Sequence, residues 1–303
     1  MSSDTQSLIP NLQQGIDYWN HQPASLDGVL GGFGSGSLPR VDSLGSRQFL
    51  RGLLPELCTV PSALFPPSAE PPKQRYRALD VGAGIGRVTA NVLLYLVSDV
   101  VLVEPVQSFI LEALEQCEHS AELGGSHNDS GYAIGWPGIA DGSKSVTFIK
   151  APLQKFDPAN PENNTEVMGR VGFIPSEDDM TSGFDVLWCQ WCLGHMSDAD
   201  LTEFMRLSRH ALRGPQSFIV VKENLCAQLG DEPRAVFDKE DSSLTRSDLA
   251  FKKIFKDAGL KIVREKIQHG FPKGLYVVKM CILLYFSPFS VLMLFHRYAL
   301  QAA

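Results

Sequence analysis

Short apolar runs alternate with helix-like stretches along most of this chain, and that alternation is its main structural signal. Arg77–Val81, Val100–Glu104, Val146–Lys150, Phe184–Cys189 and Phe218–Glu223 are short and rich in Val, Ile and Leu, so they read as strands. Between them, Arg87–Leu96, Val106–Cys117 and Ala199–Leu212 carry apolar residues at helical spacing, the last opened by the cap Ser197-Asp198. Ser247–Ala258 is a further helix stopped by Gly259, and Lys261–Glu265 with Leu275–Val278 has the pattern of a closing hairpin. Strands alternating with helices specify an α/β fold, a parallel sheet with helices on both faces. Such sheets bind ligands at the carboxyl ends of their strands.

The rest of the chain surrounds this core. Residues 1–54 form a helical lead that ends in the periodic stretch Arg47–Leu54, and 55–76 is a proline-rich loop. The domain proper is expected at 77–280, with a Gly/Ser-rich insertion at 119–144 and a polar one at 157–182. From Met280 to Phe295 there is no charged residue. That run is shorter than the roughly 20 residues a membrane helix needs. Residues 281–303 are therefore read as foreign to the domain, either translated non-coding sequence or an interfacial segment, with a buried final strand as the remaining alternative.

Composition narrows the function. A formal net charge of -7 argues against nucleic acid as a partner, since phosphate binding needs a basic face. The acidity suits a cationic substrate, and it equally suits plain solubility. Cys189 and Cys192 are spaced as a C-x-x-C pair but end an apolar strand, so buried thiols are expected there and no metal site. No basic segment followed by an apolar core opens the chain, which points to a cytoplasmic or nuclear protein.

The chemistry concentrates at strand ends. Ala78-Leu79-Asp80-Val81 runs into Gly82-Ala83-Gly84-Ile85-Gly86-Arg87. Glycine suits a turn whose backbone angles a Cβ forbids and whose main chain a ligand must approach closely. The third glycine comes one residue earlier than in the dinucleotide fingerprint G-x-G-x-x-G, the spacing of S-adenosylmethionine loops. Glu104, at the end of the next strand, is placed to accept both ribose hydroxyl protons, as the equivalent acid does in dinucleotide folds. Beyond the fourth strand, Trp191 and His195 stand where strand alternation no longer explains them, whereas Trp188 reads as core. Lys222-Glu223-Asn224 follows the fifth strand. The acidic run Asp238–Asp241 is either a solvated loop or a carboxylate set for a cationic amine.

Together these residues resemble the eukaryotic α-N-terminal protein methyltransferases, which act on proteins beginning Xaa-Pro-Lys. The segments that carry the resemblance are Tyr18-Trp19, Leu26–Gly34, Ala78–Thr89, Val103–Pro105, Leu153-Gln154, Gln190-Trp191, Gly194-His195, Val221–Asn224 and Asp241–Arg246. The resemblance implies a seven-stranded class I S-adenosylmethionine-dependent methyltransferase fold, Rossmann-like, that methylates α-amino groups. It implies that Gly82, Gly84, Arg87, Glu104, Leu153, Gln154 and Gln190 contact S-adenosyl-L-methionine. It places Trp19, Leu30, Trp191, Asn224, Asp238, Ser243 and Tyr276 along a peptide channel, with His195 and Asp241 handling the amine proton and Asp238 meeting the substrate lysine. Ribosomal proteins are among the substrates it implies. Gly274 departs from the pattern, because family members can place an acid there. An inactive cofactor-binding scaffold, and a methyltransferase for another amine, are the alternatives; the joint presence of His195, Asn224 and Asp241 speaks against the scaffold.

Overall fold

The computed structural model describes residues 9–52, 54, 74–122 and 135–285. Most of the proline-rich loop, part of the 119–144 insertion and residues 286–303 lie outside them. Three helices lead: α1 (Leu12–Asn20), the short α2 (Leu26–Val29) and α3 (Leu38–Arg51). The core follows as β1 (Arg77–Val81), α4 (Arg87–Asn91), β2 (Asp99–Val103), α5 (Gln107–Glu122), β3 (Ser145–Lys150), β4 (Glu166–Gly172), β5 (Val186–Gln190), α6 (Asp198–His210) and β6 (Phe218–Leu225). A small hairpin, β7 (Ala235–Asp238) and β8 (Ser243–Arg246), precedes α7 (Asp248–Asp257), β9 (Leu260–Ile267) and β10 (Val277–Tyr285).

The main sheet has eight strands in the order β4-β3-β2-β1-β5-β6-β10-β9. Neighbours among β3, β2, β1, β5 and β6 pair parallel, whereas β4 and β10 run antiparallel to theirs. Both faces are buried, which is why the central strands read as continuous apolar runs. Ala78, Val100, Leu102, Phe148 and Trp188 share one core with Phe49 and Leu50 of α3 and Ile110 of α5. Leu79, Val81, Val101, Val103 and Leu187 share the other with Leu201 and Phe204 of α6 and Phe251 and Phe255 of α7. The order reverses beside β1, between β2 and β5, and that reversal opens a crevice at the carboxyl ends.

Three expectations need correction. The sheet holds eight strands where seven were expected, because β4 lies inside the 157–182 insertion. It is a half-exposed edge strand containing Glu166, Gly169, Arg170 and Gly172, so no apolar alternation announces it. Arg170 and Arg77 fasten the following turn through Asp179, at 2.7 Å each. The domain also does not stop at residue 280. β10 crosses that boundary, with Cys281, Ile282, Leu283 and Leu284 buried between β6 and β9. The uncharged run thus begins as an interior strand. Among the described residues, no helix is long and apolar enough to cross a membrane. Finally, the helix after the glycine loop is shorter than its pattern. Asn91 turns its side-chain amide onto Arg87 O at 3.1 Å, and Val92 leaves helical angles.

Candidate active site

Two cavities meet at the carboxyl edge of the sheet. The first, about 970 Å³, is floored by the turn after β1. Gly82, Gly84 and Gly86 have φ of 61°, 59° and 76°, in the left-handed region. A Cβ on Gly82 would run into Cys192, and one on Gly86 into the Trp136 ring; at Gly84 the main chain faces the cavity with only Val29 near, at 3.6 Å. Glu104 does more than wait for a ligand. Its two carboxylate oxygens accept the N–H groups of Gly84 (2.8 Å) and Val106 (2.9 Å), so it fastens the glycine loop to the end of β2. Burial pushes its pKa up to about 7, and the same cause pushes Asp80, which accepts from Thr89 Oγ1 at 2.6 Å, to about 7. Asp80 lines this cavity too.

Arg87 and Gln190, both on the cavity wall, are held by a residue that periodicity alone did not single out. Asp42, fully buried on α3, pairs with Arg87 at 2.6 Å and Lys222 at 2.5 Å and accepts from the Gln190 amide at 3.0 Å. Burial works to raise the Asp42 pKa, but the two cations hold it below the usual carboxylate range. Arg87 also lies 5.3 Å from the Trp191 ring centroid. The lead helix is thereby tied to both cavities.

The second cavity, about 1200 Å³, is walled by Leu30, Trp191, Asn224, Asp241, Ser243 and Tyr276, with Trp19 and His195 shared with the first. These are expected channel residues that line the cavity; Asp238, expected beside them, does not. That side chain is exposed outside the wall, where it accepts the Glu240 N–H at 2.8 Å and caps the hairpin turn. Leu153 and Gln154 line the first cavity, and the Gln154 amide donates to His195 O at 2.8 Å, orienting the turn from below.

His195 ends a 3₁₀ turn, Leu193–His195, immediately after β5. The turn is held from two sides. Glu223 Oε1 accepts the N–H groups of Cys192 and Leu193, both at 2.9 Å. Arg246 donates to Leu193 O (3.0 Å) and Met196 O (2.6 Å). Burial pushes Glu223 up to about 7. Two non-glycine residues with positive φ flank the site: Trp191 and Ser242, both at 55°. Strain of this kind is retained only where the surroundings enforce it. Here Asn11 N–H donates to Ser242 Oγ at 2.8 Å, pinning α1 to the hairpin.

Three polar atoms at the junction are buried and have no partner: Trp191 Nε1, His195 Nδ1 and Asp241 Oδ1. Buried polar atoms are nearly always satisfied, so this grouping marks where a polar ligand belongs. Burial lowers the proton affinity of His195, and the Asp241 charge partly offsets that. Among the described residues no cluster of His, Cys, Asp and Glu is placed to hold a metal ion. The donor set of the first cavity fits an adenosyl amino acid: carboxyls for hydroxyl groups, the Arg87 cation for a carboxylate, and glycines for close main-chain approach.

Known proteins agree. A family model described as AdoMet dependent proline di-methyltransferase matches residues 10–284. An alpha N-terminal protein methyltransferase 1 from Arabidopsis thaliana is 36% identical over 268 residues, 88% of this chain and 77% of the relative. An N-terminal Xaa-Pro-Lys N-methyltransferase 1 from Bos taurus is 30% identical, over 86% of this chain and 89% of its own length. The solved structure of a SAM-dependent methyltransferase from Leishmania major superposes with a TM-score of 0.61 at 30% identity, covering 90% of this chain and 82% of that one. S-adenosylmethionine is the methyl donor of this fold and site, and the chain belongs to the AdoMet-dependent proline di-methyltransferase family.

Proposed function

We propose that this enzyme methylates the α-amino group of proteins whose exposed N-terminus reads Xaa-Pro-Lys, ribosomal proteins among them, in the cytoplasm or nucleus. The observation that carries the reading is the junction of the two cavities at His195 and Asp241, where unpartnered polar atoms meet the cofactor cleft. A free α-amino group has a pKa of roughly 7.7–8.0 and is mostly protonated at neutral pH, so it cannot attack until a proton leaves. His195 and Asp241 are the pair placed to manage that proton. S-adenosylmethionine, when bound, supplies an electrophilic methyl on sulfur. Glu104 and Asp80 would hold its hydroxyl side, and Arg87 its carboxylate.

Asn224 offers both a donor and an acceptor to the first peptide unit. Trp19, Leu30 and Trp191 give an apolar wall that favours the compact ring of proline at position two. The substrate lysine meets a wall with fewer acids than expected, since Asp238 lies off it and position 274 is glycine. The test is mass spectrometry of a Ser-Pro-Lys peptide incubated with enzyme and S-adenosylmethionine. Methyl increments on the free peptide and none on its N-acetylated form are expected. Equal rates on Ser-Ala-Lys would overturn the channel argument, and no increment at all would favour an inactive scaffold. Fractionation of cells expressing a tagged chain checks the location, and recovery in the membrane pellet alone would refute it.

A further inference from the structure

The tautomer of the histidine at the junction is set by the lead helix. Trp19 Nε1 lies 3.0 Å from His195 Nε2. An indole N–H only donates, so Nε2 must present its lone pair and the ring proton sits on Nδ1. Nδ1 points toward Gly15 and Asp241: a Cβ on Gly15 would come within 3.2 Å of it and 3.4 Å of the Asp241 carbonyl oxygen. Asp241, whose charge acts on the imidazole, leaves its Oδ1 an acceptor without a donor.

We propose that Trp19 is a positioning residue for proton transfer, whose indole N–H fixes His195 as the Nδ1–H tautomer and lowers its affinity for a further proton. With Nε2 covered and Nδ1 already protonated, neither ring nitrogen offers a lone pair to the substrate. The ammonium therefore gives its proton to Asp241: an N–H bond breaks, an O–H bond forms, and the lone pair stays on the amine nitrogen. The His195 Nδ1–H and Asp241 Oδ1 are not paired with one another, so the carboxylate is free to take that proton. This inference rests on the proton-handling role proposed above for the pair.

The charged and titratable groups around the imidazole come from several elements. Asp241 approaches from the hairpin turn and Tyr18 from α1, whose phenol is raised by burial and then by Glu240, Asp241 and Asp238. Glu223 and Arg246 hold the turn itself, which also carries the Cys192 thiol. Asp80, Glu104 and Arg87 line the cofactor cleft opposite. A Trp19→Phe substitution leaves all of them in place. It also keeps an aromatic ring between Tyr18 and Phe109, whose centroids lie 5.2 and 6.2 Å from that of Trp19.

Hydrogen bonding to the neutral imidazole disfavours the imidazolium. Removing the donor should therefore raise the His195 titration midpoint, by about half a pH unit to one unit for a bond of ordinary net strength. Nitrogen-15 NMR of the full chain, without substrate, reads both properties. Wild type should show a single tautomer with Nε2 unprotonated, and Trp19→Phe a tautomer mixture with the raised midpoint. A wild-type Nε2–H tautomer, or a Phe variant with unchanged tautomer and midpoint, overturns the proposal. If the variant does not fold, the wild-type spectrum alone decides the tautomer. Because no peptide is present, a failure here is separate from a failure to methylate.

Discussion

Ending the chain after Met280 tests whether the uncharged C-terminal run belongs to the fold. The cut removes Cys281–Tyr285, more than half of β10, and with it the pairing to Ile219–Val221 of β6 and Leu260–Glu265 of β9. Ile282, Leu283 and Leu284 are at most 5% exposed. At about 1.5–3 kcal/mol for each large aliphatic taken from water, their burial contributes roughly 5–9 kcal/mol. Whole-domain stabilities are about 5–15 kcal/mol, so a chain ended at 280 should not hold a cooperative fold. The milder change Ile282→Ala should cost about 2–5 kcal/mol and lower the melting temperature by roughly 4–20 °C. Thermal melts followed by circular dichroism, with a chain ended after Tyr285 as comparator, give the answer. A chain ended at Met280 that melts as sharply and as high as that comparator refutes the reasoning.

Asp42→Asn leaves Arg87 and Lys222 buried without their counter-charge; it should destabilise by about 3–5 kcal/mol and weaken S-adenosylhomocysteine binding in calorimetry, and the reading fails if binding is unchanged. His195→Ala should lower turnover at near-constant cofactor affinity, and full activity in steady-state assays would remove it from the reaction. Asp241→Asn should lose turnover at neutral pH and regain part of it near pH 9, where the amine is already free, so a flat pH profile contradicts the acceptor role. The raised carboxyls Asp80, Glu104 and Glu223 keep protons in the folded chain that the unfolded chain releases from about pH 4 upward. Their contribution is complete below that and fades as pH rises through about 7. Urea midpoints of cofactor-free protein should fall less between pH 5 and 7 in Asp80→Asn than in wild type, and parallel slopes would contradict the assignment.

The sheet was legible because its central strands are buried on both faces and so are uninterruptedly apolar, and because Gly82, Gly84 and Gly86 are dictated by backbone angles that few other residues adopt. β4 was hidden by the mixed composition of an edge. The start of β10 looked like the hairpin expected there, but its continuation looked like a tail, since a fully buried strand and an interfacial segment share one composition. The glycine loop, Glu104, Trp191, His195 and Asn224 were visible as residue types following strand ends, whereas Trp19, Leu30, Leu153, Gln154, Gln190, Ser243 and Tyr276 came only with the family resemblance. What escaped depends on contacts across the chain. Asp42 reaches Gln190 over 148 positions and Trp19 reaches His195 over 176, distances at which no spacing rule operates. An aspartate on the buried side of an amphipathic helix was the available clue to Asp42. Asp238 misled because a charge cluster has the same sequence whether it faces a cavity or caps a turn.

The position of β10 has a consequence for synthesis on the ribosome. The last described strand is not at the rim of the sheet but second from one edge, between β6 and β9. From the moment β6 is made, its free edge presents unpaired N–H and C=O groups until β10 follows, roughly 60 residues later. At about 5–20 residues per second, that gap lasts on the order of 3–12 s. During it, the nascent chain carries an apolar strand, Phe218–Val221, that any neighbouring chain can pair with. Slowed translation between Leu225 and Val277 should therefore lower the soluble yield of this enzyme even though every residue of the finished protein is unchanged.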